Sequence, residues 1–241
     1  GMQDRGDLVQ DQEGRWVEGP ALDWETLPAR VEAVVAQRIG RLAQPLRAAL
    51  RVASVEGETF TAEVVARVRE TDEREMLGRL SRELDRRHRL IRAQSIQRMD
   101  GQLLSHYRFR HILFQKYLYS SLDEVERVHL HEQVGTVLEE LYEAQKVAAV
   151  TAIAATAPQL AWHFEEARIA EKAIHYLHQA GERALQLSAY QEAITHLTKA
   201  LELLTTLPDS PERAQHELDL QLALGVAWMT TAAPAPEVEK A

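Results

Sequence analysis

The 241-residue chain contains no cysteine, which excludes disulfide bonds and thiolate metal sites and fits a reducing compartment. It also lacks an apolar run long enough to cross a bilayer. Its first residues do not show the basic and then apolar pattern of a secretory signal. We therefore expect a cytoplasmic protein that does not contact a membrane. Hydrophobic residues make up 45% of the chain, enough for a real core, so global disorder is excluded.

Several signatures of catalysis are missing as well. The sequence has no GxxxxGK[ST] phosphate loop and no hydrophobic strand that ends in paired acids for Mg²⁺. It shows no Ser-His-Asp or Cys-His pattern. His129 and His131 lie two residues apart on a predicted helix and point in different directions, while His175 and His178 lack a further ligand at metal-binding spacing. We therefore predict no enzymatic activity, no metal and no cofactor for this segment.

The net charge of −9 is unevenly distributed. Nine arginines stand against three acidic residues between Arg79 and His111, whereas acids clearly outnumber bases from Asp123 onward. An acidic chain with one basic block is not a general nucleic-acid coat, but it can present one surface to an anion.

The first half of the chain predicts a hairpin followed by a winged-helix domain. Two short strands between Asp7 and Glu18 predict a hairpin, and we interpret residues 1–28 as the remnant of a larger upstream domain. Helical periodicity follows, with a capping box formed by Asp72 and Glu75. Three short helices and then a hairpin are the winged-helix order, which we place in a domain spanning 29–122. The predicted helices and strands are helices at about 29–42, 45–55, 60–70 and 73–88 and strands at about 89–97 and 101–110.

Aromatic and basic residues are interleaved in the stretch YRFRHILFQKYLYSSL, residues 107–122. Tyr107 and Phe109 alternate with Arg108 and Arg110, as on a strand with one buried face. The spacing predicts that these rings, together with Phe114, Tyr117 and Tyr119, belong to the core and not to a nucleic-acid surface.

The second half of the chain is predicted to be all helical. Connecting helices are expected over 123–168 and helical repeats over 169–241. The stretches AEKAIHYLHQAGE and YQEAITHLTKALE match each other at small and apolar positions after a shift of 20 residues. Small residues on one face let neighbouring helices approach closely, as stacked helix pairs require. The stretch VAAVTAIAATAP reads either as a loop or as a weak helix. Helices are expected at about 111–121, 124–143, 158–167, 169–187, 189–205 and 212–230.

Residues 174–207 resemble a tetratricopeptide repeat. Gly181 stands at the small position of the first helix, and four residues match the second helix. Leu224 and Gly225 repeat the Leu-Gly step of a further unit, so we expect the chain to end within that repeat. The matching positions of the second helix are Tyr190, Ala193, Leu197 and Ala200.

The order of the segments resembles the middle of bacterial STAND-type regulators, which combine an AAA-like NTPase, a winged helix and tetratricopeptide repeats. The matching stretches include RGDLVQDQEGRWV, LPARVEAVVAQRIGRL, LHEQVGTVLEEL and AWHFEEA. They look like the tail of the predicted ATPase found with class III adenylate/guanylate cyclases and in related transcriptional regulators. The resemblance implies that ATP or ADP binds only to an upstream NTPase domain of the full-length parent. It also implies that the repeats bind a protein or small-molecule effector.

Arg110 and His111 are nucleotide-sensing candidates by the same resemblance. In related STAND proteins a Met-His-Asp motif opens the helix after the wing, and its His contacts the β-phosphate of ADP. The stretch RHILFQ fits that place, although Ile112 replaces the acid. The alternative is that His111 only caps the helix or bonds a backbone carbonyl.

The arginine block at the end of the fourth helix has three interpretations. It is a solvated helix end, a face that docks on the NTPase domain, or a DNA-contacting surface of a winged-helix transcriptional regulator. We predict a non-catalytic regulatory segment of a STAND-type signal-transduction ATPase, with DNA binding and a purely structural spacer as the alternatives. The arginines concerned are Arg82, Arg86, Arg87, Arg89 and Arg92.

Overall fold

A computed structural model of the chain describes residues 8–10, 16–18, 29–99, 102–143 and 149–232. This part is mainly helical and contains a small three-stranded antiparallel sheet. The prediction of a mainly helical fold is therefore confirmed. None of its helices is long and apolar enough to cross a membrane.

A short antiparallel ladder opens the described chain. Strand β1 (Leu8–Gln10) pairs with β2 (Trp16–Glu18), in agreement with the predicted hairpin. The turn expected between these strands lies outside the described residues, as do Asp100 and Gly101 of the second predicted hairpin turn.

The next elements form what we call the sheet unit, which comprises helices α1 to α5, a π-helical segment and strands β3 to β5. Pro45 occupies the first turn of α2, where a missing N–H has no consequence. The strands lie in the order β3-β5-β4 and are antiparallel. The bounds are α1 Ala29–Gly40, α2 Gln44–Glu56, β3 Thr59–Thr61, α3 Ala62–Val68, α4 Glu73–Gly78, the π segment Arg79–Arg87, β4 Ile91–Met99, β5 Gln102–Phe109 and α5 Ile112–Ser120.

Two features of the sheet unit differ from the sequence prediction. Phe60 and Thr61, predicted to open the third helix, form β3 together with Thr59 instead, because this segment pairs with β5 far along the chain. The fourth helix changes to π geometry at Arg79 and ends with the His88 N–H bonded to the Glu83 carbonyl at 2.8 Å. The first feature depends on a strand far along the chain, and the second on a five-residue hydrogen-bond spacing that the apolar periodicity does not distinguish from that of an α-helix.

The aromatic strip forms part of the core, as predicted. Tyr107, Phe109 and Phe114 are buried, while Tyr119 packs against the core from its edge. The Phe60 ring lies 5.4 Å from that of Phe109 and 6.0 Å from that of Tyr107, centroid to centroid. Strand β3 therefore adds an aromatic ring to the cluster that the sequence had indicated on β5 alone.

Helices α6 to α10 form what we call the helical array, in which each helix packs against the next. The small apolar stretch before Pro158 belongs to helix α7, which starts well before the predicted position and carries this proline in its interior. The bounds are α6 Glu124–Glu143, α7 Ala149–Glu166, α8 Ala170–Gln186, α9 Tyr190–Leu204 and α10 Pro211–Ala232.

The sheet unit and the helical array share one hydrophobic core. Helices α2 and α3 pack on α6, and a single cluster of buried residues runs from Val35 in α1 to Leu220 in α10. Arg51 of α2 also bonds Glu126 of α6, with Nη2 to Oε2 at 2.6 Å. The two parts are therefore packed as one body.

Candidate anion-binding surface

A helix start and a helix end position the arginine block. The Asp72 carboxylate caps α4 by accepting a hydrogen bond from the Glu75 N–H at 3.0 Å, as predicted. The Glu75 carboxylate does not complete the predicted capping box, because it binds Arg79 at 2.5 Å. The π segment then ends at His88, and Arg89 adopts a φ of 53° that turns the chain into β4. Short π-helical stretches are rare and occur often at functional sites.

The five arginines predicted for docking or DNA contact are all exposed. Within the described residues none of them forms an ion pair or a side-chain hydrogen bond. An exposed guanidinium group without an ion pair can attract an anionic partner. We name Arg82, Arg86, Arg87, Arg89 and Arg92 the arginine surface.

Arg110 is engaged within the fold, in contrast to the arginine surface. Its Nη2 binds the Asp85 carboxylate at 2.7 Å, and its Nε donates to the Ile91 carbonyl at 2.8 Å. The side chain thereby joins the π segment to β4. Arg108 behaves similarly, with Nε and Nη2 both on Glu58.

His111 is the N-cap of α5. Its Nδ1 accepts a hydrogen bond from the Leu113 N–H at 3.2 Å, which is the capping role considered in the sequence. A neutral ring that accepts at Nδ1 carries its proton on Nε2. Since His111 is exposed, that N–H can donate to an external anion.

Five of the repeat-signature residues lie on α8 and α9, at or near the contact between these helices, whereas Gly225 lies on α10. A Cβ placed on Gly181 would come within 2.6 Å of Leu197 Cγ, so glycine is what lets the two helices approach here. Ala193 and Ala200 are fully buried beside Leu197, whereas Tyr190 is half-buried at the start of α9. A Cβ placed on Gly225 of α10 would meet no atom within 4 Å.

A buried pair of imidazoles was missed in the sequence. His131 of α6 and His163 of α7 are fully buried, with their Nδ1 atoms 3.0 Å apart, and His131 Nε2 lies 3.0 Å from the Tyr119 hydroxyl. His163 Nε2 is buried without a hydrogen-bond partner in the described residues. Burial lowers the pKa of His131 to about 4 and that of His163 to about 3, with Arg127 adding to the first shift. The two histidines are 32 residues apart, so no local spacing connects them.

The second buried titratable site, also missed in the sequence, lies where α2 meets β3. The Glu56 carboxylate accepts hydrogen bonds from the Thr61 N–H and hydroxyl, while Glu63 accepts one from the Ser105 N–H. Burial raises the pKa of Glu56 to about 7, and the nearby Glu63 acts in the same direction. Glu56 therefore holds the last residue of β3, and Glu63 of α3 holds β5.

Comparisons with protein-family models, with curated protein sequences and with solved structures each found no match to this chain. In the part of the chain that the structure describes, no group of three or more His, Asp or Glu side chains is placed to hold a metal ion.

Proposed function

We propose that this chain is a non-catalytic regulatory segment of a STAND-type signal-transduction protein, in which a change at the sheet unit reaches the helical array. The observation that carries the proposal is the single core that runs through both parts. Closely packed interiors transmit strain, because they lack the voids that would absorb it.

The proposal is tested by amide hydrogen exchange measured along a denaturant series. If both parts open as one unit, the slowest amides of β5 and α8 share one free energy of opening and one denaturant dependence. Two distinct openings, with α8 exchanging while β5 stays protected, would remove the physical basis of the relay.

The order of elements in the sheet unit supports its interpretation as a winged helix. Helix α2, helix α3 and the run of α4 with the π segment precede a two-stranded hairpin, and β3, the short strand after α2, pairs with that hairpin. In this interpretation α4 and the π segment are the third helix, and β4 and β5 are the wing.

Recurring glycine contacts support a tetratricopeptide-type helical array that binds a protein or small-molecule effector. A Cβ on Gly135 of α6 would come within 3.2 Å of His163 Cβ and 3.3 Å of Phe164 Cε1 on α7. The contact of Gly181 with Leu197 repeats this arrangement one helix pair later. Arrays of stacked helix pairs present extended surfaces for binding.

Nucleotide sensing in a full-length parent is proposed for His111, supported by its exposed Nε2. The test is ADP retention by a parent that carries the NTPase domain, comparing His111→Ala with His111→Asn. Asn is a good N-cap and keeps the helix start, but it lacks the imidazole. Loss of ADP in both variants supports sensing, whereas loss in the Ala variant alone assigns His111 to capping. A direct contact of Arg110 with the nucleotide is less favoured, because its guanidinium already binds Asp85.

Nucleic-acid binding is the second candidate function, favoured by the unpaired arginine surface. The test is binding of random duplex DNA over a salt series, with Arg86→Ala and Arg92→Ala combined as the variant. Phosphate contacts by these arginines predict weaker binding at higher salt and a shallower salt slope in the variant. If duplex does not bind at low salt, nucleic acid is excluded and the arginine surface is left to docking on an acidic protein domain.

A further inference from the structure

A row of polar side chains leads from the interior of the sheet unit to its surface. It begins at Glu56, the last residue of α2, and continues through Thr61 of β3 to His106, which faces Thr61 on β5. It ends at Gln97 of β4, an exposed residue. Glu56 and Thr61 are buried, and His106 is half-buried. We name Glu56, Thr61, His106 and Gln97 the Glu56 network.

The Thr61 hydroxyl lies between a carboxyl group and an imidazole. Its oxygen is 2.7 Å from Glu56 Oε1 and 3.5 Å from His106 Nδ1. His106 Nε2 lies 3.2 Å from Gln97 Oε1, which can only accept, so the neutral ring carries its proton on Nε2 and presents a lone pair at Nδ1. Thr61 has a single hydroxyl hydrogen. It can therefore donate to Glu56 or to His106, but not to both.

The ionised form of Glu56 faces a second carboxyl group. Glu63 of α3 is also buried, and its charge opposes that of Glu56. A buried carboxylate without a cationic partner takes up a proton more readily than one in water. Burial, opposed by the hydrogen bonds from Thr61 and reinforced by Glu63, raises the pKa of Glu56 to about 7, whereas burial lowers the pKa of His106. Three arginines on neighbouring elements bind other carboxylates, in the pairs Arg51–Glu126, Arg67–Glu73 and Arg108–Glu58.

We propose that Glu56, Thr61 and His106 form a pH switch, in which a proton on Glu56 sets the direction of the Thr61 hydroxyl and holds β3 in the sheet unit. When Glu56 is neutral, its O–H donates to the Thr61 oxygen, and the Thr61 hydrogen turns to His106 Nδ1. When Glu56 releases the proton, the Thr61 hydrogen turns back to the carboxylate, and His106 loses its donor. The negative charge then lies beside Glu63, so the junction of α2, β3 and α3 becomes less stable.

The switch loosens β3 as the solution becomes alkaline. In the opened chain the carboxyl group of Glu56 returns to its ordinary pKa of 4.5, against about 7 in the folded chain. The contribution of neutral Glu56 to stability is therefore complete below pH 4.5 and is lost as the pH rises through 7. Between about pH 6 and 8.5, this linkage predicts that the equilibrium constant for opening β3 rises about tenfold. The switch requires neither a nucleotide nor a STAND-type parent.

The test follows the ring nitrogen chemical shifts of His106 by NMR over about pH 4–9. Two steps are expected, one for protonation of the ring itself and one near pH 7, where Glu56 titrates. Glu56→Gln and Thr61→Val should each remove the step near pH 7, whereas Thr61→Ser keeps the hydroxyl and should retain it. Glu58→Gln is the matched control, because that carboxyl group binds Arg108 outside the Glu56 network, and it should leave both steps in place.

Amide hydrogen exchange of Phe60, a buried residue of β3, measures the opening itself. After correction for the intrinsic rate, its protection should fall about tenfold between about pH 6 and 8.5 in the wild type. In Glu56→Gln the protection should stay constant, because the amide cannot ionise.

Three results would contradict the proposal. The first is a His106 ring that titrates in a single step, identical in the wild type and in Glu56→Gln. The second is a step near neutral pH that persists in Thr61→Val, which would mean that Glu56 acts on the ring without the hydroxyl. The third is a protection of Phe60 that does not change with pH in the wild type.

Discussion

Gly181 and Gly225 occupy similar places in the sequence, one on α8 and one on α10, yet one is covered by Leu197 and the other faces open space. The arginines show the same contrast, because Arg110 is held by Asp85 while Arg86 has no partner in the described residues. In both pairs the residue type is the same and only the neighbour differs. The covered member of each pair supports the fold, and the open member is available for binding.

The largest effect on stability is expected when the pH is lowered, because two buried histidines lie where α6 packs against α7. The folded chain keeps His131 and His163 neutral, with pKa values of about 4 and about 3, whereas the unfolded chain protonates both below about 6.5. Protons therefore favour unfolding in that window. The contribution of the neutral histidines to the free energy of unfolding is complete above pH 6.5. It should fall by on the order of 3 kcal/mol per histidine as the pH drops to about 4. Urea unfolding at a series of pH values measures this fall.

The control for the acid effect is His163→Gln, which removes one of the two titrating groups and should roughly halve the pH dependence, because His131 still titrates. Glu56 acts in the opposite direction. Its pKa of about 7 contributes stability that is present below 4.5 and is lost as the pH rises through 7. Both proteins in this comparison should therefore also carry Glu56→Gln, so that the titration of Glu56 does not offset that of the histidines. A stability that does not change between pH 7 and 4 in this background would contradict the buried neutral pair.

Gly181→Ala is the next largest change. The new Cβ would lie 2.6 Å from Leu197 Cγ in a packed interface, so α8 and α9 must move apart. Overpacking of this kind costs about 1–3 kcal/mol. Urea unfolding measures the loss, and Gly181→Ala should cost less when it is made in a Leu197→Ala protein than in the wild type, because the two changes act on one contact.

Arg110→Ala should lower stability by about 1 kcal/mol. The change removes the bond to the Ile91 carbonyl and leaves Asp85 without its guanidinium partner. Part of the ion pair is exposed to solvent, which keeps the loss small. Thermal unfolding compared with Arg110→Lys separates the directional hydrogen bonds from the charge alone. A Lys variant as stable as the wild type would show that charge is sufficient.

Gly225→Ala should raise the stability of the single chain by about 0.5–1 kcal/mol, since alanine favours the helix and the Cβ meets no atom. The measurement is urea unfolding at a concentration where the protein is monomeric. A loss of stability would mean that Gly225 is already covered, and the contrast with Gly181 would disappear.

The smallest effect on stability is expected for Arg86→Ala, because the side chain is exposed and has no partner in the described residues. Such surface changes stay within about 0.5 kcal/mol. The same variant should weaken binding to a polyanion such as heparin in a salt-dependent manner. Equal heparin binding by the wild type and the variant would show that Arg86 does not contribute to anion binding.

The sequence was sufficient for features that local spacing determines. Helix α6 spans the predicted residues because its apolar periodicity is local, and Tyr107 and Phe109 are buried as their alternation indicated. Two of the features that it missed depend on distant partners. Strand β3 exists through pairing with β5, and His131 meets His163 only once α6 and α7 are packed.

The spacing of residues along the sequence also did not distinguish those that another side chain contacts from those of the same type that have no such contact. Gly181 and Gly225 carry the same signature, and Arg110 and Arg86 belong to the same basic block. Their partners, Leu197 and Asp85, lie 16 and 25 residues away from the residues that they hold, on other elements. Composition could therefore indicate that a basic surface exists, but the structure is needed to say which arginines form it.

The relay between the sheet unit and the helical array is tested most directly by Leu50→Ala, a fully buried residue of α2. Truncating such a leucine costs about 2–5 kcal/mol. If the core is continuous, the slowest amides of α8 should exchange faster by the same factor as those of β5, at least about 30-fold. An increase confined to the sheet unit, with α8 unchanged, would contradict the relay.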